Sequence, residues 1–231
     1  MRILVITAHP DDVDFGAAGS VARWVDEGHE VSYCIVTDGD AGGFDPAMPR
    51  AEIPTIRRAE QRAAAKVVGV EDVHFLGYPD GRLMVSIELR RDISRVIRLV
   101  RPERVVCPSP ERNWARIYAS HPDHLAAGEA ALGAVYPDAR NPFAHPELAA
   151  EGLEAHSVLE VWMMAAPDPD VFVDITDHIE AKVSALRCHE SQITDPAALD
   201  GMIRGWTGAT ARAAGLPDGR LAEGYRRIDT A

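Results

Sequence analysis

Two short stretches of this 231-residue chain bring together residue types that hold metal ions and move protons: His9-Pro10-Asp11-Asp12 and His121-Pro122-Asp123-His124. In the first, a histidine and a carboxylate three residues apart can fold back onto one ion. In the second, His121 and His124 are also three apart and open a helix-like stretch, so both can face the same side. Two imidazoles and a carboxylate leave a coordination position for water, which is the ligand set of catalytic zinc. Such an ion lowers the pKa of its water to about 7 and polarises a carbonyl oxygen. A carboxylate beside it that is not a ligand can take the water's proton and hand it to a leaving group; Asp11 is the candidate. A mixed His/Asp set also suits iron or manganese, so Fe2+ and Mn2+ stand beside Zn2+. Each tetrad alone has a plainer reading, Asp11 or Asp12 as a helix cap and His-Pro-Asp-His as a turn and cap. The two together, directed to one sheet edge, favour chemistry.

The elements that would position these tetrads follow from hydrophobic pattern. Residues 2–8 form a continuous apolar run, the mark of a strand covered on both faces. A helix from about Gly16 to Glu27 ends at Gly28. Further strands are expected at Glu30–Thr37, about Val73–Gly77 and Arg104–Cys107, with helices over 55–68 and about Ile87–Val100 between them. Residues 136–157 are a weakly structured connection. Two more strands, Val158–Met164 and Val171–Asp174, follow, and helices from His178 to Ser191 and beyond Asp195 finish the chain. Alternation with short connections predicts a single-domain, Rossmann-like α/β fold over residues 1–231, its mostly parallel sheet flanked by helices. In such a sheet ligands bind outside the carboxyl ends of the strands. The first tetrad follows the first strand, and the second follows the fourth.

Composition narrows the function classes. The chain is 46% hydrophobic, enough for one sizeable core. A formal charge of −12 argues against a nucleic-acid partner, which would need clustered Lys and Arg. Cys34, Cys107 and Cys188 are too few and too scattered for a disulfide framework, so a reducing, cytoplasmic setting is expected. No segment approaches the ~20 apolar residues of a membrane span, and the N-terminal apolar run is too short for a signal sequence. Gly16 and Gly19 do not make a dinucleotide motif, and Asp11-Asp12 there would repel a pyrophosphate. A homo-oligomer is left open.

Ala8-His9-Pro10-Asp11-Asp12 and His121-Pro122-Asp123-His124 together resemble the LmbE-like (PIG-L) family of N-acetylglucosamine deacetylases. Shorter pieces extend the likeness over roughly residues 2–192: Thr37-Asp38-Gly39-Asp40, Arg57-Arg58-Ala59-Glu60, Leu76-Gly77-Tyr78-Pro79-Asp80-Gly81 and His189-Glu190-Ser191-Gln192. The resemblance implies one zinc per chain on His9, Asp12 and His124, with Asp11 as general acid/base. It implies that His121 stabilises the oxyanion as imidazolium, that Asp123 orients the His121 ring, and that Arg57 and Asp80 hold the sugar. The implied activity is removal of the N-acetyl group from a small N-acyl amino sugar conjugate. An amidase of thiol-sugar conjugates and a non-catalytic zinc or sugar binder are the alternatives. The chain departs from the pattern at Val13, where many members have Glu, and at Ala119, where many have Asp or Tyr. Tyr118 or Asn113 is the candidate replacement for the latter.

Other residues have plainer expectations. His29, His145, His156 and His178 read as surface residues and His74 as packed within a strand. His189 lines the pocket or ends a helix. Trp114 stacks on a sugar face or packs in the core. The expected specificity loops are residues 41–55, 109–119 and 136–157.

Overall fold

In the computed structural model, which describes residues 1–230, strands and helices alternate from the first residues onward. Strand β1 (Arg2–Thr7) turns Ile3 and Val5 to one face and Leu4 and Ile6 to the other, all four fully buried. Both faces are covered, so no polar position interrupts the run. The helix expected from about Gly16 to Glu27 is α2 (Ala18–Asp26); a short α1 (Asp12–Gly16) precedes it, separated at Ala17, whose φ of −145° leaves the helical region. Then come β2 (Glu30–Thr37), α3 (Ile53–Val67), β3 (Asp72–Tyr78), α4 (Ile87–Val100) and β4 (Arg104–Pro108). Ser86 caps α4, accepting from the Leu89 N–H at 3.1 Å. The second tetrad opens α5 (Pro122–Gly133), which continues into a helical stretch, Ala134–Ala139, kinked at Tyr136. The 136–157 connection is therefore more ordered than its composition suggested; it also holds α6 (Pro146–Ala150).

After β5 (Glu160–Met164), β6 (Val171–Asp174), α7 (Ile179–Arg187) and α8 (Pro196–Ala213), the chain returns to the sheet as β7 (Ala222–Asp229). This corrects the expectation that helices finish the chain. The seven strands lie in the order β3-β2-β1-β4-β5-β7-β6. The first five are mutually parallel, and β7 runs antiparallel to both its neighbours. Tyr225 of β7 is fully buried, 5.4 Å from the ring of Trp162. The sheet is mostly parallel, with helices on both sides. On one face, α2, α3, α7 and α8 pack Val21, Ala64, Val183 and Ile203 against Ile3 and Val5. On the other, α4 and α5 pack Ile93, Ile97 and Ala127 against Leu4 and Ile6.

The strand order reverses at β1, with β2 on one side and β4 on the other, which opens a crevice at their carboxyl ends. All three cysteines are free, Cys34 and Cys107 being buried. No helix among the described residues is long and apolar enough to cross a membrane. The histidines expected on the surface are half-buried and partnered. His145 pairs with Asp138 at 3.3 Å, His156 Nε2 lies 2.7 Å from the Pro102 carbonyl, and His178 pairs with Asp26 at 2.8 Å. His74 is half-buried and reaches Asp72 at 3.1 Å.

Candidate active site

The carboxyl end of β1 delivers the first tetrad and α5 delivers the second, and the two meet. The His9 ring lies 5.0 Å from that of His121 and 5.1 Å from that of His124, centroid to centroid. Asp12 joins them: one oxygen is 3.0 Å from His124 Nε2, and the other is 3.4 Å from His9 Nδ1 and accepts from the His9 N–H at 2.8 Å. His9, His121 and His124 offer nitrogens within 4.8 Å of one another, and so do ligand atoms of His9, Asp80 and Asp123. The structure thus gathers seven of the eight expected site residues around this point: His9, Asp11, Asp12, Asp80, His121, Asp123 and His124. The eighth, Arg57, is packed behind Asp11.

Neither aspartate of the first tetrad is a helix cap. Asp11 occupies the cap position of α1 but its side chain makes no cap hydrogen bond. It takes a φ of +88°, a left-handed conformation costly for a residue with a Cβ. Its backbone N–H is held by Gln61 Oε1 at 2.8 Å, and its carboxylate accepts from Arg57 at 3.1 Å. The plainer reading holds in part for the second tetrad. His121 caps α5, its Nδ1 accepting from the Asp123 N–H at 3.2 Å, with Pro122 starting the helix.

That contact corrects one expectation. The Asp123 carboxylate does not orient the His121 ring; one of its oxygens meets His9 Nε2 at 3.2 Å and accepts from the Gly81 N–H at 2.7 Å. Its other oxygen accepts from the Leu83 N–H. Only the backbone of Asp123 reaches His121. Accepting at Nδ1 assigns the proton of a neutral His121 to Nε2. Burial, with the His9 and His124 rings close by, lowers the His121 pKa.

Arg57 is not a solvated helix residue. It is 3% exposed, its guanidinium donating to the Pro10 and Gly39 carbonyls as well as to Asp11. Room for it comes from two glycines. Gly39 has a φ of +62°, and a Cβ at Gly42 would stand 2.3 Å from the Arg57 guanidinium. Asp80 faces His9 Nε2 at 3.1 Å and accepts from the Ala41 N–H.

Electrostatics divide the carboxylates by task. Burial pushes Asp11 up to about 6, against the opposing pull of Arg57. Burial also works against ionisation of Asp12, but the His124 and His9 charges outweigh it and hold Asp12 well below the usual carboxylate range. Burial similarly opposes charge on His9, yet its carboxylate neighbours, Asp12 foremost, push it up to about 12. Two carboxylates side by side with opposite shifts are the pattern of one proton carrier and one permanent anion.

Sequence reasoning missed the layer behind Asp11. Gln61 is fully buried and donates from Nε2 to Asp14 at 2.9 Å, while His189 Nε2 meets the same Asp14 oxygen at 2.8 Å. His189 is 0% exposed, so it supports the site from within and does not line the pocket. The signal for Gln61 was its place one helical turn after Arg57, on the same face of α3. Trp114 is 81% exposed and is not core.

The profile of the family described as GlcNAc-PI de-N-acetylase (PIG-L) matches residues 4–135. The chain is 36% identical over 194 residues to a diacetylchitobiose deacetylase of Thermococcus kodakarensis, covering 84% of this chain and 71% of that protein. It is 31% identical over 198 residues to a probable N-acetyl-alpha-D-glucosaminyl L-malate deacetylase 2 of Bacillus cereus, covering 83% of each. The crystal structure of N,N'-diacetylchitobiose deacetylase from Pyrococcus horikoshii, complexed with its inhibitor MPG, superposes with a TM-score of 0.90 at 31% identity. That match covers 99% of this chain and 84% of that one.

Proposed function

Since this chain belongs to the GlcNAc-PI de-N-acetylase (PIG-L) family, we propose that it is a metal-dependent N-deacetylase of small N-acetylglucosamine-type conjugates. The carrying observation is the Asp12 carboxylate placed between His9 and His124, beside an Asp11 raised to about 6. Residues 1–231 are taken as one deacetylase domain.

A divalent cation fits the donor set. Asp11, Asp12, Asp80 and Asp123 crowd three imidazoles, and Arg57 is the one guanidinium among them, so the cluster carries an excess of negative charge and nitrogen donors. His9, Asp12 and His124 are the ligands we assign, and one zinc per chain is the ion the set suits best. When bound, such an ion polarises the acyl carbonyl and lowers the pKa of water to about 7.

Asp11 takes a proton from the attacking water as the new C–O bond forms. His121 donates from Nε2 to the oxyanion of the tetrahedral centre. The C–N bond then breaks, Asp11 returns its proton to the departing nitrogen, and acetate and a free amine leave. Arg57 and Asp80 are assigned to the sugar side, Arg57 also steadying Asp11.

Zinc-loaded protein incubated with N-acetylglucosamine, N,N'-diacetylchitobiose and other N-acetylglucosaminyl conjugates is expected to release primary amine, and chelation to stop it. Absence of amine across the panel refutes the assignment.

A further inference from the structure

The cluster has a polar flank and an apolar flank. Gly39, Arg57 and Asp80 come from the β2–β3 side of β1. On the β4–β5 side, Asp12 and His124 open directly onto a cavity of about 300 Å³. Its walls include Phe15, Tyr118, Ala119, Met164 and Trp206, with Arg116 at the rim. The Tyr118 and Trp206 rings lie 20° from parallel with centroids 6.5 Å apart, and Phe15 stands 6.4 Å from Trp206. The Tyr118 hydroxyl is already engaged, accepting from Arg116 Nε at 3.0 Å. Tyr118 is 61% and Trp206 39% exposed, so large apolar side chains are left facing solvent beside the chemistry.

An amide presents two substituents to a site that polarises its carbonyl: the amine on one side and the acyl chain on the other. Sugar hydroxyls lose hydrogen bonds on an apolar wall and belong on the polar flank. An alkyl chain loses nothing there and gains burial. Ala119, a methyl where a larger side chain would project, keeps the cavity open at His124. We propose that this cavity is an acyl pocket, and that the enzyme hydrolyses N-acyl amino sugars with butanoyl- to hexanoyl-length chains as well as N-acetyl ones. The inference rests on the deacylase reading above. The bond changes are those of acetate release, with the longer carboxylate leaving instead.

The test compares kcat/KM of the zinc-loaded protein on N-acetyl-, N-butanoyl- and N-hexanoylglucosamine, for wild type, Trp206→Ala and Tyr118→Ser. Wild type is expected to cleave the hexanoyl compound within about tenfold of the acetyl one, and each variant to lower the hexanoyl-to-acetyl ratio about tenfold or more. Calorimetric affinity of wild type for hexanoate over acetate should fall in the same variants. Tyr118 is well exposed on a short turn, so its variant keeps the test decisive if Trp206→Ala does not fold. Hexanoyl turnover more than about a hundredfold below acetyl turnover overturns the proposal. So does a ratio unchanged in the variants, including the case where Trp206→Ala instead depresses N,N'-diacetylchitobiose relative to N-acetylglucosamine and the cavity seats a sugar ring. If the three glucosamine compounds are inert while N,N'-diacetylchitobiose is cleaved, the acyl-pocket proposal falls alone; if chitobiose and the other conjugates are inert as well, the deacylase reading itself fails.

Discussion

The side-chain amide of Gln61 holds the backbone of Asp11: its oxygen accepts from the Asp11 N–H at 2.8 Å. Which end of the amide faces Asp11 is fixed from behind, because the Gln61 nitrogen donates to Asp14 and His189 bonds the same Asp14 oxygen. A flipped amide would set oxygen against carboxylate. Asp11 keeps its left-handed φ of +88° because Gln61, Arg57 and the start of α1 together over-determine it.

Replacing Gln61 with Leu should therefore harm catalysis more than binding. We expect kcat to fall by about 10–100-fold, since a misplacement near 1 Å costs on that order, while KM changes little. Steady-state kinetics on a zinc-loaded, circular-dichroism-matched variant is the check. An unchanged kcat would show that Asp11 needs no help from Gln61.

Asp11→Asn separates proton transfer from metal retention. Asn keeps the shape of the residue and its place over Arg57, but cannot accept the water's proton. Amine release should fall by about 10²–10⁴-fold while zinc content, measured by elemental analysis after desalting, stays at the wild-type level. Loss of the metal along with activity would make Asp11 a ligand.

How much of this was legible in the sequence depends on where each residue's partners lie. Strands β1 and β4 are buried on both faces and show as apolar runs, β2 is buried from Tyr33 to Thr37, and each tetrad is contiguous, so the sheet edge and its imidazoles could be named directly. Strand β7 could not. Its Glu223, Arg226 and Arg227 look like solvent-facing charges, yet Glu223 is buried against Lys182, and Arg227 reaches Glu160 at 2.8 Å. Those charges fit a strand only because distant segments supply their partners. Asp14, Gln61 and His189 likewise come from three separate stretches, and although Gln61 shares a helix face with Arg57, no local spacing joins the three. Asp123 was legible as a residue but not in its direction, because its carboxylate turns to His9 across the crevice while its backbone alone meets His121.

The buried charge pair behind the site should govern stability. Lys182 Nζ donates to Glu223 at 2.7 Å and to the carbonyls of Asp14 and Phe15, pinning α1 to α7 and β7. Lys182→Met leaves Glu223 buried without its counter-charge and should cost about 3–5 kcal/mol in urea unfolding. Adding Glu223→Gln should recover part of that loss. A single variant as stable as wild type would mean that the pair is dispensable.

The acid side of the pH–activity profile should move with Arg57. Asp11 works as a base only when ionised, so kcat/KM falls as pH drops through its pKa. Burial raises that pKa to about 6, and the Arg57 charge opposes the rise. Removing the charge with Arg57→Met takes away a lowering influence, so the Asp11 pKa climbs and the acid limb shifts to higher pH. A bound cation lowers the Asp11 pKa in wild type and variant alike, which leaves the direction of the difference intact. The measurement is kcat/KM against pH for both proteins at saturating zinc, comparing midpoints and not absolute rates, because Arg57→Met also weakens the sugar side. A limb that stays in place, or moves to lower pH, would show that the proton carrier is a group Arg57 does not touch.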